Sequence, residues 1–267
     1  MGGIKYEDEI RQLNIIDDIL FRKMAEDKIF CEEMLRVIMD DKELIVLEST
    51  PQWTGNNLKG RSVITDVKCV LSNGRHIGIE VQKSDNDNHQ KRVRYNGAVL
   101  TTNVTDTGIN FEEIPDVCII YISTFDIFKG NSPIYHIDRI IRETNELANN
   151  GFMEIYVNTK VDDGSDVAKL MKVFSQTNEY SDKFPVASEK KRFFRTQNKE
   201  VENMSMVLQE LIEKERADAA KVAVLEGRKE GIKENSFIVA KNMKCDGMPI
   251  DMIIKYTGLS KEDLNSL

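Results

Sequence analysis

Apolar and polar positions follow two different periods along the first part of the chain, and each period predicts an element type. Residues 15–40 and 167–177 carry apolar side chains at mainly helical spacing, and residues 88–102 predict a further helix with a basic start. Short alternating or continuous apolar runs predict strands at 43–50, in both arms of 62–83, at 115–124 and at 153–160. The order is therefore helix, three strands, helix and strand.

Two intervening segments lack a clear strand pattern. Residues 51–60 are rich in Gly, Asn and Pro and predict a loop. Residues 137–151 predict either a helix or irregular chain. Trp53, inside the first of these segments, either touches a ligand or covers the core, and we favour the core.

The apolar residues of segment 62–83 determine its register as a hairpin. Apolar side chains occupy mostly odd positions in both arms: Val63, Val67, Cys69, Leu71, Ile77, Ile79 and Val81. Because a slip of one residue sends every side chain to the wrong face, odd positions must pair with odd positions. A two-residue Asn73-Gly74 turn breaks this match. A three-residue loop with a left-handed Gly74 pairs Leu71 with Arg75, and places Asp66 opposite Glu80.

Two carboxylates side by side in a sheet repel each other. Either one takes up a proton or a cation lies between them. Mg²⁺ fits such a place, because it binds through one or two carboxylates together with water and phosphate oxygens. The competing interpretation is that both acids face solvent on an edge hairpin. Gln82 and Lys68 lie on the same predicted face as the acids.

Composition and charge narrow the class of protein. The 267 residues are 40% hydrophobic and 31% charged, typical of a globular protein, and no run of about 20 apolar residues predicts a membrane span. The N-terminus lacks a secretory pattern, and four widely separated cysteines indicate unbridged thiols in the cytoplasm. A net charge of −8 argues against a broadly basic nucleic-acid-binding surface. A basic stretch nevertheless follows the acids at residues 83–94, and His89 within it is expected to be a solvated residue at the helix start.

The C-terminal part differs in composition. Residues 1–187 are predicted to form the main α/β domain, residues 188–243 a long charged helical segment, and residues 244–267 a small helix–turn–helix-like tail. Ser260 and Asp263 resemble a capping box in that tail. The second tail helix offers mainly acidic side chains, which suit DNA poorly, so we favour packing or homo-oligomer assembly.

Four short motifs, taken in order, resemble the PD-(D/E)XK nuclease superfamily, and more narrowly its recombination-promoting nuclease or putative transposase group. Residues 18–23 are similar to the group's D-x-x-F-K segment, and Asp66 matches the acid of its second strand. Glu80 and Gln82 match its third-strand triplet. Residues 92–95 match its R-x-x-Y helix, and the Glu-Gly pairs and TGLS of the tail are also similar to the group.

The resemblance implies a restriction-endonuclease-like core, with an αβββαβ order and a mixed sheet flanked by helices. It also implies a Mg²⁺-dependent endonuclease that hydrolyses DNA, for which Mn²⁺ can substitute. Asp66 and Glu80 would bind the metal, with the Val81 carbonyl as a further oxygen. Asp18 would be an extra acid of the site, or would only cap its helix.

Gln82 departs from the superfamily, which usually has lysine there. Glutamine cannot act as a base, although it can hydrogen-bond a water molecule. Lys68 is a candidate helper, whereas alternation points Lys83 to the other face. Arg92 and Tyr95, three apart on one helical face, would contact the DNA phosphates; alternatively Arg92 pairs with a surface acid and Tyr95 packs.

Two rival interpretations remain open. The chain is either a metal-dependent endonuclease acting in recombination, mobile-element biology or defence, or a non-catalytic DNA-binding protein on the same scaffold. A third interpretation is an oligomeric scaffold built by residues 188–267.

Overall fold

The computed structural model describes residues 6–57, 60–206, 208–209, 212 and 235–265. The chain divides into two units, residues 1–205 and residues 206–267. Residues 213–234, in the middle of the predicted charged helical segment, lie outside the described residues.

The described residues of the first unit contain six helices labelled α1–α6, a further helical stretch after α6, eight strands and one 3₁₀ turn. The helices are α1 (Glu7–Gln12), α2 (Asp18–Met24), α3 (Lys28–Ile38), α4 (His89–Val104), α5 (Asp166–Ser175) and α6 (Pro185–Thr196). The strands are β1 (Val46–Gly55), β2 (Val63–Leu71), β3 (His76–Gln82), β4 (Val117–Ser123), β5 (Ile134–Ile137), β6 (Ile140–Ile141), β7 (Glu146–Leu147) and β8 (Phe152–Asn158). The 3₁₀ turn spans Phe111–Glu113.

Six of these strands form one mixed sheet in the order β1-β2-β3-β4-β8-β5. β1, β2 and β3 are antiparallel neighbours, β3-β4 and β4-β8 are parallel, and β5 closes the sheet antiparallel to β8. This mixed sheet with flanking helices and helical C-terminal elements confirms the predicted restriction-endonuclease-like core.

Strand β4 lies at the centre of the sheet, and all seven of its residues are buried. Because neighbouring side chains point to opposite faces, both faces of the sheet must be covered there. On one face, Val93 and Leu100 of α4 pack with Ile119 and Tyr121 of β4. This packing sets α4 over the β3-β4 pair and brings its polar residues to the end of β3.

The hairpin adopts the predicted register. Val67 pairs with Ile79, the Leu71 N–H donates to the Arg75 carbonyl at 2.9 Å, and Gly74 has a φ of 82°. A left-handed φ of this kind suits glycine, which has no Cβ to clash with the backbone. The three-residue loop predicted from the apolar pattern is therefore confirmed.

Three local predictions need correction. Residues 51–55, predicted as loop, continue β1, because they pair in register with residues 63–67 of β2. Trp53 then packs against the α4 side of the core, as expected. Residues 137–151 contain no helix; they are mainly irregular, as the second alternative predicts, with the short β6-β7 pair as an unpredicted addition. Residues 15–40 are divided into α2 and α3 by a cap at Asp27, whose carboxylate accepts from the Ile29 N–H at 2.9 Å.

Helix α6 crosses the predicted boundary at residue 187 and is packed within the first unit. Its Lys191 is fully buried and donates to the carbonyl oxygens of Val173 in the last turn of α5 and of Gln176 and Glu179 beyond its end. A second helical stretch, 198–206, follows a break at Gln197. The division of the chain at 187 and 243 stays a prediction.

The described part of the second unit comprises helical residues 235–245 and the helices Ile250–Thr257 and Lys261–Asn265. Ala240, Ile253, Leu259 and Leu264 form its small core. The Ser260 hydroxyl accepts from the Asp263 N–H at 3.1 Å, and the Asp263 carboxylate accepts from the Ser260 N–H at 3.0 Å. This reciprocal pair is the capping box that the sequence indicates. Across the described residues of both units, helices are too short or too polar to span a bilayer.

Candidate active site

Asp66 lies in β2 just beyond the last ladder pair with β3. Its Oδ2 accepts a hydrogen bond from the Val81 N–H at 2.9 Å. The side chain thus takes the place that a backbone carbonyl of β2 would have if the ladder continued. The side chain is only 20% exposed. Burial raises the pKa of Asp66, while the Val81 N–H and the charges of Arg22 and Arg92 act against this rise.

Glu80, in β3, is 2% exposed. Its Oε2 accepts from the Arg92 Nε at 3.1 Å, and its Oε1 accepts from the Asn96 side-chain amide. Burial raises the pKa of Glu80 to about 7, with the charge of Asp66 adding to the rise and Arg92 and Asn96 opposing it. Neither acid is therefore a solvated carboxylate on an edge hairpin.

The two carboxyl groups share one electrostatic neighbourhood. The charge of Asp66 raises the pKa of Glu80, and the charge of Arg92 lowers the pKa of both acids. Two desolvated carboxylates repel each other when both ionise, so a nearby positive charge is needed to stabilise the pair in its ionised form. In this structure arginine side chains provide that charge.

Asp18 is the first residue of α2, whereas the N-cap position belongs to Asp17. The alternative that Asp18 caps the helix is therefore wrong. Its carboxylate is instead paired with the Arg22 guanidinium one turn later. Arg22 Nε also lies 3.8 Å from Asp66 Oδ1, so this arginine connects Asp18 to Asp66.

The other polar residues near the acids have defined partners. The Gln82 side-chain amide donates to the Ser84 carbonyl at 2.9 Å, and its Oε1 lies 3.5 Å from Arg92 Nη1. Lys68 Nζ lies 5.6 Å from the centroid of the Trp53 ring. Lys83 is paired with Asp17 at 2.5 Å.

A cleft of about 400 Å³ opens beside the acids, with Arg61, Lys91, Arg92, Tyr95 and Asn96 among its lining residues. The Tyr95 hydroxyl donates to the Arg61 carbonyl, and the Asn57 amide donates to Tyr95 at 3.1 Å. Arg92 pairs mainly with buried Glu80, and more distantly with the surface acid Asp87 at 4.0 Å. The cleft therefore adjoins the carboxyl pair through Arg92 and Asn96, which both bind Glu80, and its lining carries three basic side chains and the acid Asp87.

Sequence reasoning missed two residues of the site and misjudged a third. The sequence assigns no site role to Asn96, or to Arg22 of the 18–23 segment, although each follows a site residue by four positions on a helix, a spacing that puts both on one face. His89 is 6% exposed rather than solvated: its ring nitrogens lie 2.9 Å from the Tyr121 hydroxyl and 3.0 Å from Asp85.

The donor set suits a hard divalent cation. Asp66 and Glu80 offer carboxylate oxygens, and Mg²⁺ commonly takes one or two such ligands while keeping several waters. Within the described ranges no cluster of three or more His, Cys, Asp and Glu side chains is arranged for a metal. A cation here would therefore depend on water or substrate oxygens for its remaining ligands.

Comparison with known proteins gives a match to a protein-family model. The family model described as PD-(D/E)XK nuclease family transposase matches residues 18–222. This range includes every candidate residue from Asp18 to Tyr95. No curated protein and no solved structure matches the chain.

Proposed function

Because the chain belongs to the PD-(D/E)XK nuclease family transposases, we propose that it is a divalent-metal-dependent DNA endonuclease. Membership of this family points to a nuclease or mobile-element function, and nucleases of this type generally use divalent metals. The observation that carries the proposal is the pair of buried carboxyl groups, Asp66 and Glu80, beside a cleft with basic walls.

Asp66 and Glu80 would hold Mg²⁺, or Mn²⁺ in its place, with the Val81 carbonyl as a further oxygen. When bound, such a cation assists attack by water on the phosphodiester and screens the charge that develops on the phosphate. Burial keeps bulk water from screening the two carboxylates, which strengthens their interaction with a cation. Asn96 and Arg92 fix the Glu80 carboxylate by hydrogen bonds and so limit its rotation.

Gln82 would orient a water molecule rather than remove its proton, since an amide is not a base. In this role the Gln82 side-chain amide would give up its hydrogen bond to the Ser84 carbonyl and bind the water molecule instead. Lys68 remains a candidate helper, but reaching the acids requires its ammonium to leave the Trp53 ring. Asp18 would act through Arg22, its partner in the structure.

The cleft would bind the DNA backbone. Arg92 and Tyr95 lie three residues apart on one face of α4, and Lys91 and Arg61 extend the positive wall. Arginine and lysine neutralise phosphates, and this contact is independent of sequence. Because the whole chain carries a net charge of −8, we expect binding to be confined to this basic surface.

Plasmid nicking tests the proposal. Supercoiled DNA is incubated with the full chain and Mg²⁺ or Mn²⁺, and with the Asp66→Ala and Glu80→Ala variants. Cutting by the wild type, loss in both variants, and retained activity in the exposed control Glu112→Ala support the nuclease. Unchanged folding of the variants is checked by circular dichroism. DNA binding by the wild type without any cutting, with either metal, would favour the non-catalytic rival.

We propose that the biological setting is recombination, mobile-element biology or defence against foreign DNA, and the family supports a nuclease or mobile-element function. The described cysteines are all free thiols, three of them buried, which agrees with a proposed cytoplasmic location. A periplasmic or secreted pool in a fractionation experiment would contradict this location.

A homo-oligomer through the C-terminal helices is a second proposal. Large apolar side chains are exposed there, including Ile250 and Met252 at the start of the helix Ile250–Thr257. Such side chains favour contact with another apolar surface. Light scattering of the full chain against the Ile250→Ser, Met252→Ser variant tests this. The mass should fall in the variant and stay constant in the neighbouring control Asp251→Asn; a monomeric wild type would contradict the proposal.

A further inference from the structure

Arg22 contacts two acids of the site, Asp18 and Asp66, but the proposed metal chemistry gives this arginine no role. Its guanidinium is paired with Asp18 and lies 3.8 Å from Asp66 Oδ1. The side chain is only 18% exposed. Burial lowers the pKa of Arg22 and the charge of Asp66 opposes that change, so the arginine and the acid stabilise each other's charged forms.

The position of Arg22 follows from the local helix. Asp18 and Arg22 are separated by one turn of α2, which puts them on one face. The guanidinium is a planar fork with five N–H donors, so one arginine can contact two carboxylates at once. It can therefore move away from Asp66 and keep Asp18 as its partner.

We propose that Arg22 is the internal counter-ion of the acid cluster, and that it leaves Asp66 when a divalent cation binds there. The inference rests on the proposed function, because it takes Asp66 to be a ligand of that cation. Arg22 thus lowers the affinity of the site for metal, and Asp18 serves to hold Arg22 rather than to bind metal itself.

Electrostatics gives the direction of the effect. A positive charge about 4 Å from a ligand oxygen repels a cation bound to the same oxygen, and the repulsion is strong in a partly buried site. Replacing Arg22 by a neutral side chain removes this competitor. The cation then meets an Asp66 carboxylate without its arginine neighbour, while Arg92 still pairs with Glu80.

Calorimetric titration of the full chain with Mn²⁺, after removal of metal with EDTA, tests the inference without relying on cleavage. We expect Arg22→Gln to bind Mn²⁺ at least about tenfold more tightly than the wild type. Lys23→Gln is the matched control, since it removes the same charge from the next residue, which pairs with exposed Glu26. The Mn²⁺ affinity of Lys23→Gln should stay within about twofold of the wild-type value, because solvent screens the Lys23–Glu26 pair.

A second pair of variants separates the roles of Asp18. As a single substitution, Asp18→Asn should weaken Mn²⁺ binding. Arg22 then has only Asp66 as a partner and competes more strongly with the cation for it. The same change should have no effect in the Arg22→Gln background. A loss of affinity in both backgrounds would make Asp18 a metal ligand and overturn its assigned role.

A measurement on the wild type covers the case in which Arg22→Gln fails to fold. In NMR spectra of ¹⁵N-arginine-labelled protein, the Nε–H signal of Arg22, assigned from its absence in Arg22→Lys, should shift on addition of Mg²⁺. A constant signal under saturating Mg²⁺, or unchanged Mn²⁺ affinity in Arg22→Gln while the wild type cuts DNA, would overturn the inference alone. Absence of Mn²⁺ binding in wild type and variant alike would overturn the metal-dependent function with it.

Discussion

Replacing Glu80 by glutamine should stabilise the metal-free protein while it abolishes DNA cleavage. Glutamine has nearly the shape of glutamate but carries no charge. It can keep the Arg92 hydrogen bond through its oxygen, and it can keep the Asn96 contact if the Asn96 amide rotates to present its oxygen. The substitution therefore removes a desolvated negative charge at little cost in packing.

The magnitude follows from the pKa of Glu80. Burial and the neighbouring Asp66 raise this pKa from 4.5 to about 7. Since each tenfold change in an acid dissociation constant corresponds to 1.36 kcal/mol, ionised Glu80 lowers the free energy of unfolding by about 3 kcal/mol. The Glu80→Gln variant should recover about that amount at pH 8 in EDTA.

The pH dependence has a definite sign. Between pH 4.5 and about 7 the folded protein holds a proton on Glu80 that the unfolded chain has lost. The contribution of Glu80 to stability therefore falls as the pH rises through this range. The gain in the Glu80→Gln variant should shrink to about 1 kcal/mol or less at pH 5.

Urea denaturation in EDTA at pH 5 and pH 8 measures this difference, with Glu112→Gln as an exposed control that should change neither value. The reasoning is refuted if Glu80→Gln destabilises the protein equally at both pH values. That result would mean that the hydrogen bonds and ion pair of the Glu80 carboxylate stabilise the folded protein by more than its desolvation costs.

Three further predictions concern other parts of the first unit. Lys191→Met leaves the carbonyl oxygens of Val173, Gln176 and Glu179 without their ammonium donor, so urea denaturation should show a loss of about 2–4 kcal/mol with unchanged Mn²⁺ affinity; unchanged stability would contradict the role of these contacts. Lys91→Gln should lower by about 1 the slope of log affinity for DNA against log salt, measured by fluorescence anisotropy with Ca²⁺ present, and an unchanged slope would exclude Lys91 from the phosphate contacts. Gly97→Ala places a Cβ 2.3 Å from ring carbons of Phe152, so thermal denaturation should show that the free energy of unfolding falls by about 1–3 kcal/mol. Wild-type stability in this variant would show that the Phe152 ring can move aside without cost.

The hairpin shows what the sequence alone can predict. A strand has a period of exactly two, so the apolar residues of both arms permit one register, and the glycine of the turn agrees with it. That register predicts that Asp66 and Glu80 lie opposite each other on neighbouring strands. The order of helices and strands around them followed from equally local patterns.

Contacts between distant segments could not be predicted in the same way. His89 is buried because Tyr121, from a later strand, reaches its ring, and no pattern near His89 indicates this. The continuation of β1 through Pro51 depends on pairing with β2, and Gln52 within it has a left-handed φ, which is unusual for glutamine. The contact of Arg22 with Asp66 likewise requires α2 to pack over the hairpin, which is a tertiary event.

The central claim is that Asp66 and Glu80 together hold the metal that DNA cleavage requires. Anomalous diffraction from crystals soaked in Mn²⁺ tests it most directly. We expect an anomalous peak with carboxylate oxygens of both Asp66 and Glu80 at about 2.0–2.2 Å, as for a hard octahedral cation. A Mn²⁺ ion bound elsewhere in a crystal of the active protein, with these two carboxylates still paired to Arg22 and Arg92, would contradict the account.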